Sequence, residues 1–171
     1  MIIVKLQGGL GNQMFEYAFG RAVQIKTNDM LLLDTSDFAH DKLRNYSLEH
    51  FQLADEVTTT DSSGKYNLKY DQRTNLLLKL GSRIWPELQY SILSKFGIYI
   101  WNFAKYKNVE ISKCENIYLN GYWQGYDYFS NIMDVIQNDF QIIDPPQKVN
   151  VEMLASIQES NSVCVHIRRG D

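Results

Sequence analysis

Apolar residues along this chain alternate between a run typical of buried strands and a spacing typical of amphipathic helices. Met1 to Leu6 carries Ile2, Ile3, Val4 and Leu6 almost without interruption, which predicts a buried strand. Gln7 to Asn12 places three glycines in four positions, at 8, 9 and 11, and predicts a turn. From Gln13 to Lys26 the spacing changes: Met14, Ala18, Ala22 and Ile25 recur at helical intervals, with Phe15 and Phe19 beside them. Asn12 is placed to cap this helix. Met30 to Leu33 is a second apolar run, closed by Asp34. Strand, glycine turn, helix and strand together predict a βαβ unit opening an α/β domain.

Beyond this unit the pattern is more broken. Tyr46 to Leu53 reads as a short strand or loop, and the Thr- and Ser-rich stretch from Thr58 to Lys65 as a surface loop. Asn75 to Leu80 and Glu87 to Lys105 have mixed helical spacing, with Pro86 suited to a helix start. Ile117 to Asn120 predicts a strand ending at Gly121, and Tyr126 to Asp139 a helix. Asp144-Pro145-Pro146 breaks the chain, Val149 to Ser160 predicts a helix stopped by Asn161, and Val163 to Ile167 a last strand. No internal repeat or low-complexity tract interrupts this order.

Composition narrows the classes. The 171 residues suit about one domain, and 44% apolar with 22% charged residues is the balance of a soluble, core-forming chain. A net charge of -3 excludes a nucleic-acid footprint; Arg168-Arg169 is a local cationic spot. Cys114 and Cys164 have no CxxC spacing, which excludes a zinc site or disulfide framework and fits a reducing compartment. The opening apolar run is too short for a signal peptide. Tyr90 to Ala104 is interrupted by Ser94, Lys95 and Asn102, which suits a partly buried or membrane-surface helix better than a spanning one. The 13% aromatic content suits stacking on sugars and packing a core equally.

Two segments carry candidate chemistry. In Gly8-Gly9-Leu10-Gly11-Asn12-Gln13, glycines let a ligand approach backbone, and the following helix start favours anions. Met14 stands where a dinucleotide fingerprint needs glycine, and no Gly-Lys-Ser/Thr follows, so neither standard phosphate loop is present. A tight turn between core elements is the competing reading. The second segment is His166-Ile167-Arg168-Arg169-Gly170-Asp171, where paired guanidinium groups at a strand's end match phosphate oxygens. Taken alone, such a run is more often a solvated ion-pair cluster.

The order of three segments resolves this. Ile3 through Ala18, reading IVKLQGGLGNQMFEYA, resembles the N-terminal signature of the α-1,2-fucosyltransferases of glycosyltransferase family 11. Gly121 to Phe129, reading GYWQGYDYF, is similar to a family segment of the form GY-aromatic-Q…YF, and Val165 to Asp171 resembles the family's HxRRxD donor motif. Glu16 and Trp123 depart from a more usual Gln and Phe.

The resemblance implies an α/β chain forming the N-terminal Rossmann-like lobe of a GT-B-type glycosyltransferase, the second lobe absent. Residues 1–161 would form the acceptor-side lobe, and 162–171 the first strand and donor motif of a truncated C-terminal nucleotide-binding lobe. It implies inverting transfer of L-fucose from GDP-fucose to the 2-hydroxyl of a terminal galactoside, with no metal or other cofactor, and a fragment inactive by itself. Arg168 and Arg169 would contact the donor diphosphate, with His166 and Asp171 beside them as catalytic groups with Arg168. Gly8, Gly9, Gly11, Asn12 and Gln13 would line the cleft on the donor.

Asp34, Asp37, Asp171 and His166 remain candidates for the base that an inverting transfer wants. Tyr122, Trp123, Tyr126, Tyr128 and Phe129 are split between acceptor stacking and core packing. The expected partners are GDP-fucose and a galactose-terminated glycan, the expected place the cytoplasm, with peripheral association at the inner membrane. A non-catalytic carbohydrate- or nucleotide-binding α/β module is the alternative.

Overall fold

The computed structural model describes residues 1–61, 85–102, 105–165 and 167. Five parallel strands form one sheet in the order β3-β2-β1-β5-β4. They are β1 (Ile2–Lys5), β2 (Leu31–Asp34), β3 (Val57–Thr60), β4 (Ile98–Trp101) and β5 (Ile117–Gly121). The first of the four α-helices among the described residues, α1 (Leu10–Thr27), links β1 to β2. The others are α2 (Pro86–Leu93), α3 (Met133–Asp139) and α4 (Lys148–Gln158). This is the α/β architecture that the opening βαβ pattern predicts and the Rossmann-like lobe that the family resemblance implies.

β1 is the central strand, paired to β2 on one side and β5 on the other. Ile2, Ile3 and Val4 are all buried although neighbours on a strand face opposite ways, so both faces of the sheet are covered here. The Met1–Leu6 run is apolar without alternation for that reason. α1 lies on β1 and β2. It comes close because Gly20 has no side chain: a Cβ there would overlap Val4 Cγ2 and stand 3.2 Å from Leu31 Cδ1. Phe19, Trp123 and Tyr128 close the core on this side, with ring centroids 4.5 Å apart for Phe19–Trp123 and 5.0 Å for Phe19–Tyr128. At its outer edge α1 is tied to α3: the Tyr17 hydroxyl donates to Asp139 Oδ2 at 2.8 Å, and Arg21 Nε donates to the same oxygen at 3.2 Å.

Several elements differ from the sequence expectation. Thr58–Thr60, the start of the Thr58–Lys65 stretch expected as loop, belong to edge strand β3 (Val57–Thr60), paired to β2. Thr58 and Thr59 are exposed, and an edge strand needs β-branched residues and backbone pairing more than apolar side chains. Glu87–Lys105 does not form one helix. The chain leaves α2 through a 3-10 turn (Ser94–Phe96), reverses at Gly97 in a left-handed conformation (φ 77), and enters β4, whose Ile-Tyr-Ile-Trp sequence favours a strand. Tyr126–Asp139 is two 3-10 turns followed by the short α3. Tyr46–Leu53 contains a 3-10 turn at Leu48–His50 and an isolated antiparallel bridge, Phe51 to Ile142. Asn75–Leu80 lies outside the described residues. Of the expected last strand, Val163, Cys164, Val165 and Ile167 are described, are exposed and pair with no strand among the described residues. Alternating apolar residues become a strand only where another backbone accepts their hydrogen bonds.

α4 buries none of its residues; Val149, Val151, Met153, Leu154 and Ile157 are all exposed. Ile142, Ile143, Val163, Val165 and Ile167, on either side of α4 in the sequence, are exposed as well.

The seat of α1 on the sheet is open to test. Gly20→Val adds a β-branched side chain where even a Cβ overlaps Val4. Overpacking of this kind costs about 1–3 kcal/mol. Chemical denaturation is expected to show at least that loss, whereas unchanged stability would contradict the close approach.

Candidate functional site at the C-terminal ends of β1, β2 and β5

Parallel sheets hold ligands beyond the C-terminal ends of their strands, and here that edge is polar and glycine-lined. β1 ends at Lys5, and the chain must reverse into α1 within Leu6 to Gly9. Gly8 makes this possible with a left-handed backbone (φ 76); a Cβ on it would overlap Asn12 Nδ2. Gly9, in extended conformation, is the N-cap of α1, and no side chain caps the helix. Asn12 therefore does not cap it but sits inside its first turn, its backbone N–H bonded to the Gly9 carbonyl at 2.9 Å. No atom of the described residues lies within 4 Å of a Cβ built on Gly9 or Gly11. An 18-residue helix thus presents an uncapped, glycine-lined N-terminus, and its first turn has no acidic residue. Such an end favours a negatively charged group.

Gln13 is fully buried and does not line an open cleft. Its Nε2 donates to the carbonyls of Gly8 at 3.1 Å and Asn45 at 2.9 Å, and its Oε1 accepts from Ser47 N–H at 3.0 Å. Gln13 thereby fastens the 45–47 segment to the glycine turn. Glu16, one helical turn further, is also fully buried. Its Oε2 accepts from Gln7 N–H at 2.9 Å. Burial pushes the Glu16 carboxyl up to about 9. The Gln7 hydrogen bond opposes that rise, the charge of Asp37 adds to it, and Lys5 opposes it. Near neutral pH this side chain is an uncharged acid, close in shape and polarity to the glutamine that the family resemblance makes usual here. Its Oε1 and the Nε2 of Gln7 are buried without a hydrogen-bond partner among the described residues.

Charge at the rim comes from Lys5, whose Nζ lies 2.9 Å from Asp37 Oδ1. Asp34, at the end of β2, is buried and accepts the Ser36 N–H at 3.0 Å. Of these two base candidates, only Asp37 has an exposed carboxylate.

The third wall is the loop after β5. Gly121 lies so close to β4 that a Cβ would overlap the Trp101 carbonyl. Trp123 is buried yet has a left-handed backbone (φ 48), a conformation costly for a bulky residue. It turns inward onto Phe19, while Tyr122 and Gln124 on either side remain exposed. Gln124 Nε2 donates to Asn12 Oδ1 at 2.7 Å, closing the β5 loop onto the glycine turn. The aromatic segment is divided accordingly: Trp123, Tyr128 and Phe129 belong to the core, and Tyr122 and Tyr126 are exposed.

The structure thus brings together Gly8, Gly9, Gly11, Asn12 and, beneath them, Gln13. His166, Arg168, Arg169 and Asp171 lie outside the described residues. Lys5 and Gln124 join the site without having been singled out as site residues in the sequence. The signal for Gln124 was a polar residue flanked by an aromatic and a glycine just past a strand.

A parallel α/β lobe whose open edge combines an uncapped helix start with amide side chains is suited to phosphorylated, hydroxyl-rich ligands such as activated sugars. The model of Glycosyl transferase family 11 matches residues 1–171, and the chain belongs to that family. It is 28% identical over 180 residues to an alpha-1,2-colitosyltransferase of Escherichia coli, covering 100% of this chain and 55% of that protein. It is 29% identical over 178 residues to the O-antigen biosynthesis glycosyltransferase WbnK of Escherichia coli, covering 97% of this chain and 58% of that protein. The chain therefore spans little more than half the length of these relatives. No solved structure matches it significantly. Among the described residues, no helix is long and apolar enough to cross a membrane.

Glu16 gives a pH test. Its folded-state carboxyl titrates at about 9, against 4.5 for the ordinary group. The folded state therefore holds a proton that the unfolded state releases. Stability from this group is complete below pH 4.5 and falls as pH rises towards 9, by at most about 1.4 kcal/mol per pH unit. Glu16→Gln is expected to flatten that decline in denaturant midpoints measured from pH 5 to 9. Parallel curves for the two proteins would show that Glu16 is ionised in the fold.

Proposed function

We propose that the protein acts in an inverting transfer of L-fucose from GDP-fucose to the 2-hydroxyl of a terminal galactoside. The observation carrying this reading is the open, uncapped α1 N-terminus lined by Gly9, Gly11 and Asn12 in a chain that belongs to Glycosyl transferase family 11 over its whole length. Arg168 and Arg169 pair with the donor diphosphate, and the charge released as the glycosidic bond breaks is neutralised by guanidinium groups in place of a metal. His166 and Asp171 stand beside them. Residues 1–161 form the acceptor-side lobe and 162–171 lead into a nucleotide-binding lobe, which completes the site. The uncovered apolar side chains of α4 suit burial by further polypeptide. The acceptor is a lipid-linked or soluble glycan met in the cytoplasm or at the inner membrane surface.

A second reading has a specific support: one relative is named an alpha-1,2-colitosyltransferase, so colitose is the alternative transferred sugar.

The test uses the full-length enzyme with a galactose-terminated acceptor and three donors: GDP-fucose, nucleotide-activated colitose and a UDP-sugar. Transfer from GDP-fucose is expected, and Arg168→Ala should lower kcat by about 10²–10³, the range for removing one electrostatic donor from a transition state. Transfer from the colitose donor alone selects the second reading. Transfer from the UDP-sugar alone rejects both, and an unimpaired Arg168→Ala enzyme rejects the diphosphate role.

A further inference from the structure

We propose that Gln124, together with Asn12, is a sugar-binding pair that grips two hydroxyls of the acceptor ring at the mouth of the glycine turn. This rests on the glycosyltransferase reading above, adds the residues that hold the acceptor, and moves Asn12 from the donor, where the family resemblance puts it, to the acceptor. Each amide uses one of its four hydrogen-bonding positions on the other: Gln124 Nε2 donates and Asn12 Oδ1 accepts, at 2.7 Å. That leaves Gln124 Oε1 as an acceptor and Asn12 Nδ2 as a donor, with no partner among the described residues. One free acceptor beside one free donor, locked in register by a shared hydrogen bond, complements two neighbouring hydroxyls, one donating and one accepting.

The pair is built to stay in place. Asn12 is fixed from below, since its Nδ2 occupies the space a side chain at Gly8 would fill. Gln124 is fixed from behind by Trp123, buried against Phe19 and held in a left-handed backbone that only surrounding contacts can sustain. This conformation lets Trp123 point into the core while Tyr122 and Gln124 both remain at the surface. The bridge closes the β5 loop onto the glycine turn and so holds both amides in register before a ligand arrives. A rigid amide pair gains directly, because ordering it on binding costs no further entropy. Tyr122, on the other side of Trp123, offers a ring face for the sugar's C–H surface.

The experiment pairs enzyme and substrate changes in the full-length enzyme. Parent, Gln124→Ala and Gln124→Met proteins are assayed with the intact galactoside and with its single-deoxy analogues. Both variants should lose about tenfold in kcat/KM on the intact acceptor, the scale of one lost hydrogen bond. Their KM for the nucleotide sugar should be unchanged. With one deoxy analogue, parent and variants should be equally slow, because the hydroxyl that Gln124 holds is already gone. Thermal denaturation should be unaltered, as Gln124 is exposed. The proposal is overturned if the variants keep full activity on the intact acceptor. It is overturned equally if the loss is the same for every deoxy analogue, or falls on the nucleotide-sugar KM. A parent enzyme that transfers no sugar would instead remove the reading beneath it, a result distinct from any of these.

Discussion

The whole of the sheet's C-terminal edge depends on one constraint: the chain must turn from β1 into α1 within four residues while its next-door elements stay packed. A left-handed Gly8 meets that constraint, and its missing side chain is filled by Asn12 from the helix it starts. Two buried side chains of the same helix then secure the turn from inside, Gln13 to its carbonyl at Gly8 and Glu16 to its amide at Gln7. Backbone polarity that would otherwise be lost in the interior is met by helix side chains. The surface left there is consequently bare of side chains at Gly9 and Gly11, and no side chain among the described residues caps the helix start.

Much of this was legible in the sequence, and the part that was not has identifiable causes. The βαβ opening could be read because its strands and helix are buried enough for hydrophobic period to dominate. β3 escaped notice because Thr58 and Thr59 sit at an edge, where polarity is tolerated and only pairing decides the conformation. β4 was absorbed into an expected helix because Gly97, one of ten glycines, gives no outward sign that its conformation is left-handed. Gln13 reads as a surface residue by type; its burial is set by backbone groups at Asn45 and Ser47, more than thirty positions away. The same limit applied to the aromatic segment after β5, where residue type alone could not divide Trp123 from Tyr122.

Family membership and geometry support different parts of the functional picture. The family fixes the class of chemistry over residues 1–171. The geometry explains why this edge of the sheet suits that chemistry: positive potential comes from a helix end instead of a cluster of lysines, which fits a chain of net charge -3. Glu16 agrees with this design. A buried ionised carboxylate would cancel the helix end's field, whereas a buried neutral acid leaves it intact while still accepting the turn's amide.

The contact between Gly20 and Val4 has a mechanical consequence. Helices that slide during domain closure do so across interdigitated side chains that can change rotamer. α1 rests on β1 at Gly20 through its own backbone, so that sliding would drive the helix into Val4. The helix and the central strands therefore move as one body, and the glycine turn with them. Any rearrangement at this edge falls to segments beyond that floor, such as the residues that follow β2.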